Sequence, residues 1–505
     1  MNTLSLFVLL VSIFLVTKLY DRGCQAQRGL PSNGFSSVFS SYINGILDCV
    51  DGRDAIRRAC SKYGNELFTF CQLGNWVVLV HTPHHLRDLC NASEDILSME
   101  GAAAELLQLG NTVGPEFGET YHIPVIRTSM NLHMAQLLPS ILNEMECCFK
   151  RYVDTRLVGG EWTPFKALDT LSRMMCQTSN RAFVGLPLCR NEEYIDVTSR
   201  FASQVLFAGS IMKMLVPRML RKPIGLIYRS IYRHHRRILK LAKPIIEERK
   251  KERHFSKEHP TEDMIGWLLD AASDSDEFEP SAESLAMRLL NVNFVALHTT
   301  TKIFVHALYH LAANPQYILE LRQEAEQLLD KDHPDRWSKE ALGRCVKLDS
   351  FFKETLRVNV ISALTLPRLA VKDFRFSDGT QVSAGHYVAC ASEAVQRDSK
   401  VYPSPDEFRP FRFVVPTSEE EHSLQGWPNR MTSTSETFPA FGGGRHLCPG
   451  RFFAAMVMKM FMAYLVLNYD VKMPRDGVRP ADEWLGPLCS PATRAHVLFR
   501  KRQVL

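Results

Sequence analysis

The chain has 505 residues, of which 45% are hydrophobic and 23% charged, and a formal net charge of +5. These are the proportions of a globular protein with chain enough to bury a sizeable core; they exclude an acidic disordered chain, and the mild charge gives no argument for nucleic acid as a partner. The thirteen cysteines are scattered and odd in number, which excludes a disulfide framework and points to a reducing compartment.

Residues 1–17 contain no charged side chain, and the apolar run Leu4 to Val16 is followed by Lys18, Asp21 and Arg22. The run is short against the roughly 20 residues that span a bilayer. A signal peptide is the competing reading, but neither a basic n-region nor a small-x-small cleavage site is clear. The expectation is an uncleaved transmembrane anchor over 1–20. Lys18, Arg22 and Arg28 lie just after it and put the remainder in the cytoplasm. A polar linker follows over 21–40, with Pro31 and Gly34.

Tyr42 to Tyr63 has the pattern of an amphipathic helix. Leu67–Cys71 and Trp76–His81 are rich in β-formers and are separated by Gly74-Asn75, a hairpin signal. Pro83 to Cys90 starts another helix. Ala92 to Phe117, with glycines and small residues, reads as an irregular segment, a candidate mobile loop over a site. Ile123 to Phe183 is mostly helical with a break near Gly159-Gly160, and Gly185 to Cys189 is a turn. Val205 to Arg253 interleaves many arginines and lysines with apolar residues. The plain reading is a solvated helical face; the functional one is a second contact with an anionic membrane surface. Phe255 to Pro280 is polar and acidic, a surface loop around one short helix at Met264–Ala272.

Leu285 to Leu311 predicts a long apolar helix, ended by Asn314-Pro315. It contains Ala296-Leu297-His298-Thr299-Thr300-Thr301. Hydroxyls there compete with the backbone and are expected to loosen the helix locally. They are either satisfied side chains or a groove for a small polar ligand. Residues 316–358 continue helical, and Glu354 and Arg357, three apart, can pair on one face. Val360 to Leu369, Phe374–Phe376, Gln381–Val382 and Tyr387–Ala391 read as strands. Pro403 to Phe413 is rich in proline and aromatics. Leu485 to Phe499 reads as a loop and a strand.

Between Phe438 and Gly450 the chain reads Phe-Pro-Ala-Phe-Gly-Gly-Gly-Arg-His-Leu-Cys-Pro-Gly, and the apolar helical run Arg451 to Leu467 follows at once. The glycines let the backbone come close to something flat or bulky. Pro449 suits a first helical turn. Cys448 therefore stands where loop becomes helix, where unpaired N–H groups favour a thiolate. A buried cysteine, a phosphate cradle and a zinc site are the other readings of this loop. No Gly-Lys-Ser/Thr follows it, and only His446 is near as a further ligand.

The order of these features resembles the cytochrome P450 family over nearly the whole chain. Four signatures carry the resemblance: the threonine-bearing helix, Glu354-x-x-Arg357, Pro410-x-Arg412, and the loop Phe441 to Gly450. The stretches Phe183 to Arg190, Leu348 to Thr355 and Gly444 to Arg451 resemble the fungal secondary-metabolism branch related to ent-kaurene oxidases. The resemblance implies a mainly α fold with a small β-region, a single catalytic domain over 41–505. It implies haem b as cofactor, with Cys448 as the axial thiolate to iron, which favours O–O cleavage.

The same resemblance implies that Phe441, Gly442 and Gly444 cradle the haem and that Arg368, His446 and Arg127 meet its propionates. Glu354, Arg357 and Arg412 would form a structural ion network. Thr299 or Thr300 would hydrogen-bond dioxygen, with His298 in the place of the usual acid. His446 stands where an arginine is typical. Pocket-lining segments would be Ala102–Gly118, Phe201–Met214, Phe294–Thr299, Val360–Leu366 and Leu485–Ser490.

The implied activity is monooxygenation of a hydrophobic small molecule, a diterpene-like terpenoid, with O2. Electrons would come from NADPH through a reductase or cytochrome b5 at the endoplasmic reticulum. Two alternatives stand beside it. One is a haem-thiolate isomerase or dehydratase that needs no O2, against which the retained Thr299 and Thr300 argue. The other is a non-catalytic haem- or lipid-binding membrane protein.

Overall fold

The apolar run that begins at Ala282 forms one unbroken helix of 32 residues. Residues 285–293 and 303–313 are buried all round, which makes it a central element rather than a surface one. The computed structural model describes residues 27–34, 38–72, 75–114, 121–216, 218–255, 263–273, 281–329, 337–414 and 429–503. The expected anchor over 1–20 lies outside the described residues, as does most of the linker.

In chain order the helices are α1 (Val38–Tyr63), α2 (Pro83–Asn91), α3 (Met99–Leu107), α4 (Leu109–Thr112), α5 (His122–Val125), α6 (Met134–Tyr152), α7 (Ala167–Phe183), α8 (Glu192–Leu215) and α9 (Arg218–Tyr232). They continue with α10 (His234–Phe255), α11 (Met264–Ser273), α12 (Ala282–Ala313), α13 (Gln316–Leu328), α14 (Lys339–Arg344), α15 (Val346–Val358), α16 (Ser392–Gln396) and α17 (Arg451–Asn468). One contiguous core joins α6, α7, α12, α15 and α17 through residues such as Phe149, Met174, Phe304, Phe352 and Phe461. Helix α17 has the length and apolar composition of a membrane span, yet 72% of it is buried inside the protein, so it is a core helix.

The strands are β1 (Ser32–Asn33), β2 (Phe68–Gln72), β3 (Asn75–Val80), β4 (Leu97–Ser98), β5 (Thr163–Lys166), β6 (Thr365–Ala370), β7 (Phe374–Arg375), β8 (Gln381–Val382), β9 (Tyr387–Cys390), β10 (Tyr469–Lys472), β11 (Glu483–Leu485), β12 (Leu488–Ser490) and β13 (His496–Lys501). Six of them form the main sheet in the order β1-β2-β3-β9-β6-β4. The β2–β3 pair is the expected hairpin, antiparallel with Phe70 opposite Val77. β3 then runs parallel to β9, with Val77 opposite Tyr387. A register shift between Thr365 and Arg368 interrupts β6 where it pairs with β9.

Four expectations are corrected. Ala92 to Phe117 is not an irregular loop up to 114: it holds β4, α3 and α4. Ser98 caps α3 by accepting from the Gly101 N–H, and Glu94 accepts from the N–H groups of Met99 and Glu100. The segment is also held from outside. A Cβ on Gly209 of α8 would strike the Leu107 carbonyl, and one on Gly225 of α9 the Asn111 carbonyl, so these helices meet backbone to backbone. The linker is not all linker, because Ser32 and Asn33 pair with β2. The break after α6 is filled by β5, which pairs with β13, and β10 was not anticipated. The threonines do not loosen α12: Thr299 Oγ1 donates to the Val295 carbonyl at 3.0 Å within a continuous helix.

Candidate active site

Cys448 lies three residues before Arg451, the first residue of α17, with Gly450 as the cap. Pro449 thus precedes the cap instead of occupying the first turn. The loop is closed by the Cys448 N–H, which donates to the Phe441 carbonyl at 2.9 Å. Gly442 and Gly444 have φ of +83° and +58°, conformations that disfavour a side chain. Packing adds a second reason for glycine. A Cβ on Gly443 would strike Cys90 Sγ, and one on Gly444 would strike the Cys90 carbonyl, at the end of α2. The loop is thus pressed against the end of α2.

The N–H groups of Gly450 and Arg451 and the Arg451 guanidinium act on the Cys448 sulfur as the helix-terminus argument anticipates, lowering its pKa. Burial outweighs them, so in the absence of a cation the thiol is held above its ordinary value. A thiolate here therefore requires a positive partner, and iron is such a partner.

Glu354, Arg357 and Arg412 come together as one ion network. Glu354 and Arg357, both on α15, are fully buried. Arg357 Nε and Nη2 each donate to Glu354 at 2.8 Å. Arg412 Nε donates to the same carboxylate at 3.0 Å, and so does the Arg409 N–H at 2.9 Å. The remaining guanidinium N–H groups are taken by carbonyls of Gln396, Pro405 and Glu407 on Arg357, and of Pro403 on Arg412. One carboxylate thereby ties α15 to the irregular segment 403–412.

Basic groups converge on the same loop. Arg368 on β6 is fully buried. Its Nη1 donates only to the neighbouring Pro367 carbonyl, and its Nε and Nη2 have no partner among the described residues. Burial of this guanidinium lowers its pKa and outweighs the opposing pull of Cys90 and Glu94, neither of which bonds to it. A buried, half-satisfied guanidinium is costly unless an anion meets it, and a haem propionate is such an anion. Arg127 Nη2 donates to the Arg445 carbonyl at 2.9 Å, which brings a second guanidinium to the loop.

His446 Nε2 stands 3.0 Å from Glu94 Oε2, off the line of a hydrogen bond. Burial, with Arg368 next, keeps its pKa below the ordinary value, so it is a neutral imidazole rather than a cation at neutral pH. Glu94 gave no sequence signal, since it is some 350 residues away in the chain and reaches His446 only through the fold.

Helix α12 opens in its middle. Its long buried stretches are interrupted between 294 and 302, where Val295 is 57% exposed and Thr299 is exposed. Thr300 is half-buried and Thr301 buried. A window of exposure in the middle of a core helix marks an internal cavity wall. Phe294 and Ala296 join the core beside it. His298 is half-buried, its Nε2 has no partner among the described residues, and burial lowers its pKa to about 4. The Ser199 backbone on α8 is its partner on the other side.

The residues present fit a haem: a cysteine at a helix N-terminus, a glycine loop with no room for side chains, and an orphaned buried guanidinium. The comparisons agree. The family model for cytochrome P450 matches residues 48–499. The chain is 35% identical over 480 residues to cytochrome P450 monooxygenase 151 of Postia placenta, covering 94% of each. It is 33% identical to cytochrome P450 monooxygenase 103 of the same fungus, covering 99% of each. It is 30% identical to cytochrome P450 monooxygenase CYP512U6 of Ganoderma lucidum, over 89% of this chain and 87% of that one. Among solved structures, retinoic acid bound cyanobacterial CYP120A1 superposes with a TM-score of 0.67 at 20% identity, over 94% of this chain and 98% of that one, a likeness of fold. From the cysteine loop, the buried ion network and these likenesses together, the chain belongs to the cytochrome P450 family of haem-thiolate monooxygenases.

Proposed function

We propose that this enzyme inserts oxygen into a hydrophobic small molecule of terpenoid, diterpene-like character in fungal secondary metabolism. Electrons would come from an NADPH-dependent reductase at the endoplasmic reticulum. The observation that carries the reading is the exposed window of α12. Val295 and Thr299 face open space within an otherwise buried helix, so an apolar guest has a wall to lie against and a hydroxyl beside it.

Each residue has a task in this reading. Cys448 would hold the haem iron, and Phe441 through Gly444 hold the loop that carries it. Arg368 and Arg127 neutralise the propionates, and His446 offers an N–H donor there. Glu354, Arg357 and Arg412 fix the floor without touching substrate. The bound haem supplies electron transfer and dioxygen activation, which protein side chains cannot. Thr299 supplies a hydroxyl at the reacting face. To donate outward its hydrogen must leave the Val295 carbonyl, a rotation of one side-chain torsion. His298, neutral at physiological pH, can accept or pass a proton through its Nε2.

The exposed face of α9 supports a membrane contact beside the anchor. Met219, Leu226, Ile227 and Ile231 are each at least 60% exposed, next to the exposed Arg233, Arg236 and Arg237.

The test is the optical spectrum of the reduced, carbon-monoxide-bound protein in microsomes, wild type beside Cys448→Ala, followed by a terpene screen with and without O2. A strongly red-shifted thiolate Soret band that the variant loses, with product formed only when O2 is present, is the expected result. Turnover under anaerobic conditions would support the isomerase alternative instead.

A further inference from the structure

The window in α12 ends at a lysine. Val295, Thr299 and Lys302 are spaced i, i+4 and i+7, so they form one stripe along the helix. Lys302 stands about one turn beyond Thr299. The next member of the stripe, His306, is buried and closes it: Arg479 Nη2 lies 2.9 Å from its Nδ1. Lys302 is therefore the last side chain of the stripe before the cavity wall becomes solid.

Its surroundings leave its charge uncompensated. Among the described residues its one hydrogen bond goes from Nζ to the Cys489 carbonyl, at a long 3.4 Å. An ammonium has three donors to place. The carboxylate in this corner, Asp482, is already engaged by Arg479 at 2.7 Å and by His306 at 3.3 Å. His298, one turn back on α12, is neutral and brings no negative charge. Cys489 belongs to the β11–β12 hairpin, which is pinned to the segment after α15: the Cys489 N–H donates to the Ile361 carbonyl at 2.9 Å, and the Ala363 N–H to the Pro487 carbonyl at 2.7 Å. The tip of that hairpin carries Leu485 and Leu488, which are 62% and 46% exposed. The cation is thus fixed beside apolar surface on one side and the Thr299 stripe on the other.

We propose that Lys302 is a specificity determinant that anchors a carboxylate on the substrate, so that the preferred guest is an apolar acid bound with its acid end one turn of α12 from Thr299. The proposal rests on the monooxygenase reading of this cavity and narrows its substrate class. Burial lowers the Lys302 pKa, and it is opposed by the Cys489 thiol and by no carboxylate. A substrate carboxylate would supply the missing partner, and a methyl ester of the same skeleton would not.

The experiment is calorimetric titration of the purified haem-loaded enzyme with three acid and methyl-ester pairs: abietic, palmitic and lithocholic acid. The proteins are wild type, Lys302→Met and Lys302→Arg, each checked for the thiolate carbon-monoxide band and for melting temperature. At least one acid is expected to bind wild type about tenfold tighter than its ester, the effect of one charge-assisted contact. Lys302→Met should abolish that preference by weakening the acid alone, and Lys302→Arg should keep it. The idea is overturned if every acid binds no better than its ester or fails to bind, or if Lys302→Met weakens acid and ester equally. Failure of the monooxygenase reading would appear elsewhere, as turnover without O2, and leaves the acid-to-ester ratio unaffected.

Discussion

Replacing Glu354 with glutamine keeps the side-chain volume and removes one negative charge. Two guanidinium groups lose their counter-ion at once. Arg357 is fully buried and gives two of its donors to this carboxylate, and Arg412 gives a third. Removing one partner of a buried pair leaves an uncompensated buried charge, at a cost of about 3–5 kcal/mol. A native protein is stable by about 5–15 kcal/mol in total, so this change consumes a large part of it. The folding equilibrium should fall roughly a hundredfold to several-thousandfold.

Urea unfolding read by pulse proteolysis measures the change without needing reversible heating. Haem occupancy, read from the carbon-monoxide band, should fall in parallel. Arg200→Ala is the control. Arg200 pairs with Asp196 at 2.8 Å on the surface, and its loss should change stability by about 1 kcal/mol or less. A Glu354→Gln protein within about 1 kcal/mol of wild type would refute the buried-charge reasoning.

Gly443→Ala and Gly444→Ala should both destabilise the cysteine loop, but only one should be rescued by Cys90→Ala. At Gly443 the obstacle is the Cys90 sulfur, which the second substitution removes; at Gly444 it is the Cys90 carbonyl, with a φ of +58° besides, and neither can be removed. Haem content of the four proteins checks this. Thr299→Ala should keep the thiolate band and the fold, while product formed per NADPH consumed drops about tenfold or more, the scale of a lost proton-handling group. Equal coupling in wild type and variant would remove Thr299 from the mechanism.

A last prediction concerns acid. His298 has a folded-state pKa of about 4 against an ordinary 6.5, so the unfolded chain takes up its proton first. Its contribution to stability is full above pH 6.5 and is lost as pH falls toward 4. His298→Gln should therefore flatten that part of the stability–pH curve, measured against wild type in the same buffers. An unchanged slope would mean that His298 is as easily protonated in the folded protein as in the unfolded one.

Much of this enzyme is written locally. A long apolar helix, a hairpin at residues 67–81, a glycine turn before Cys448, and Glu354 three residues before Arg357 follow from periodicity, turn chemistry and helix geometry, which act over a few residues. Contacts made across the fold are not written that way. The helices at 99–112 are held by the close approach of Gly209 and Gly225, about a hundred residues on, and short segments of small residues do not hold helices by propensity alone.

The Cys448 sulfur shows the same division. Its position at a helix N-terminus is readable from Pro449, Gly450 and the apolar run behind them, and that position favours the thiolate. How deeply it is buried depends on everything packed around the loop, and that burial reverses the sign in the metal-free chain. Likewise Arg368, His446 and Lys302 are only basic letters in the sequence. Whether a basic group finds an acid depends on which chain segments arrive beside it. Tertiary structure gives Glu94 to His446, gives Asp482 to Arg479 and His306, and leaves Arg368 and Lys302 facing inward with charge to offer.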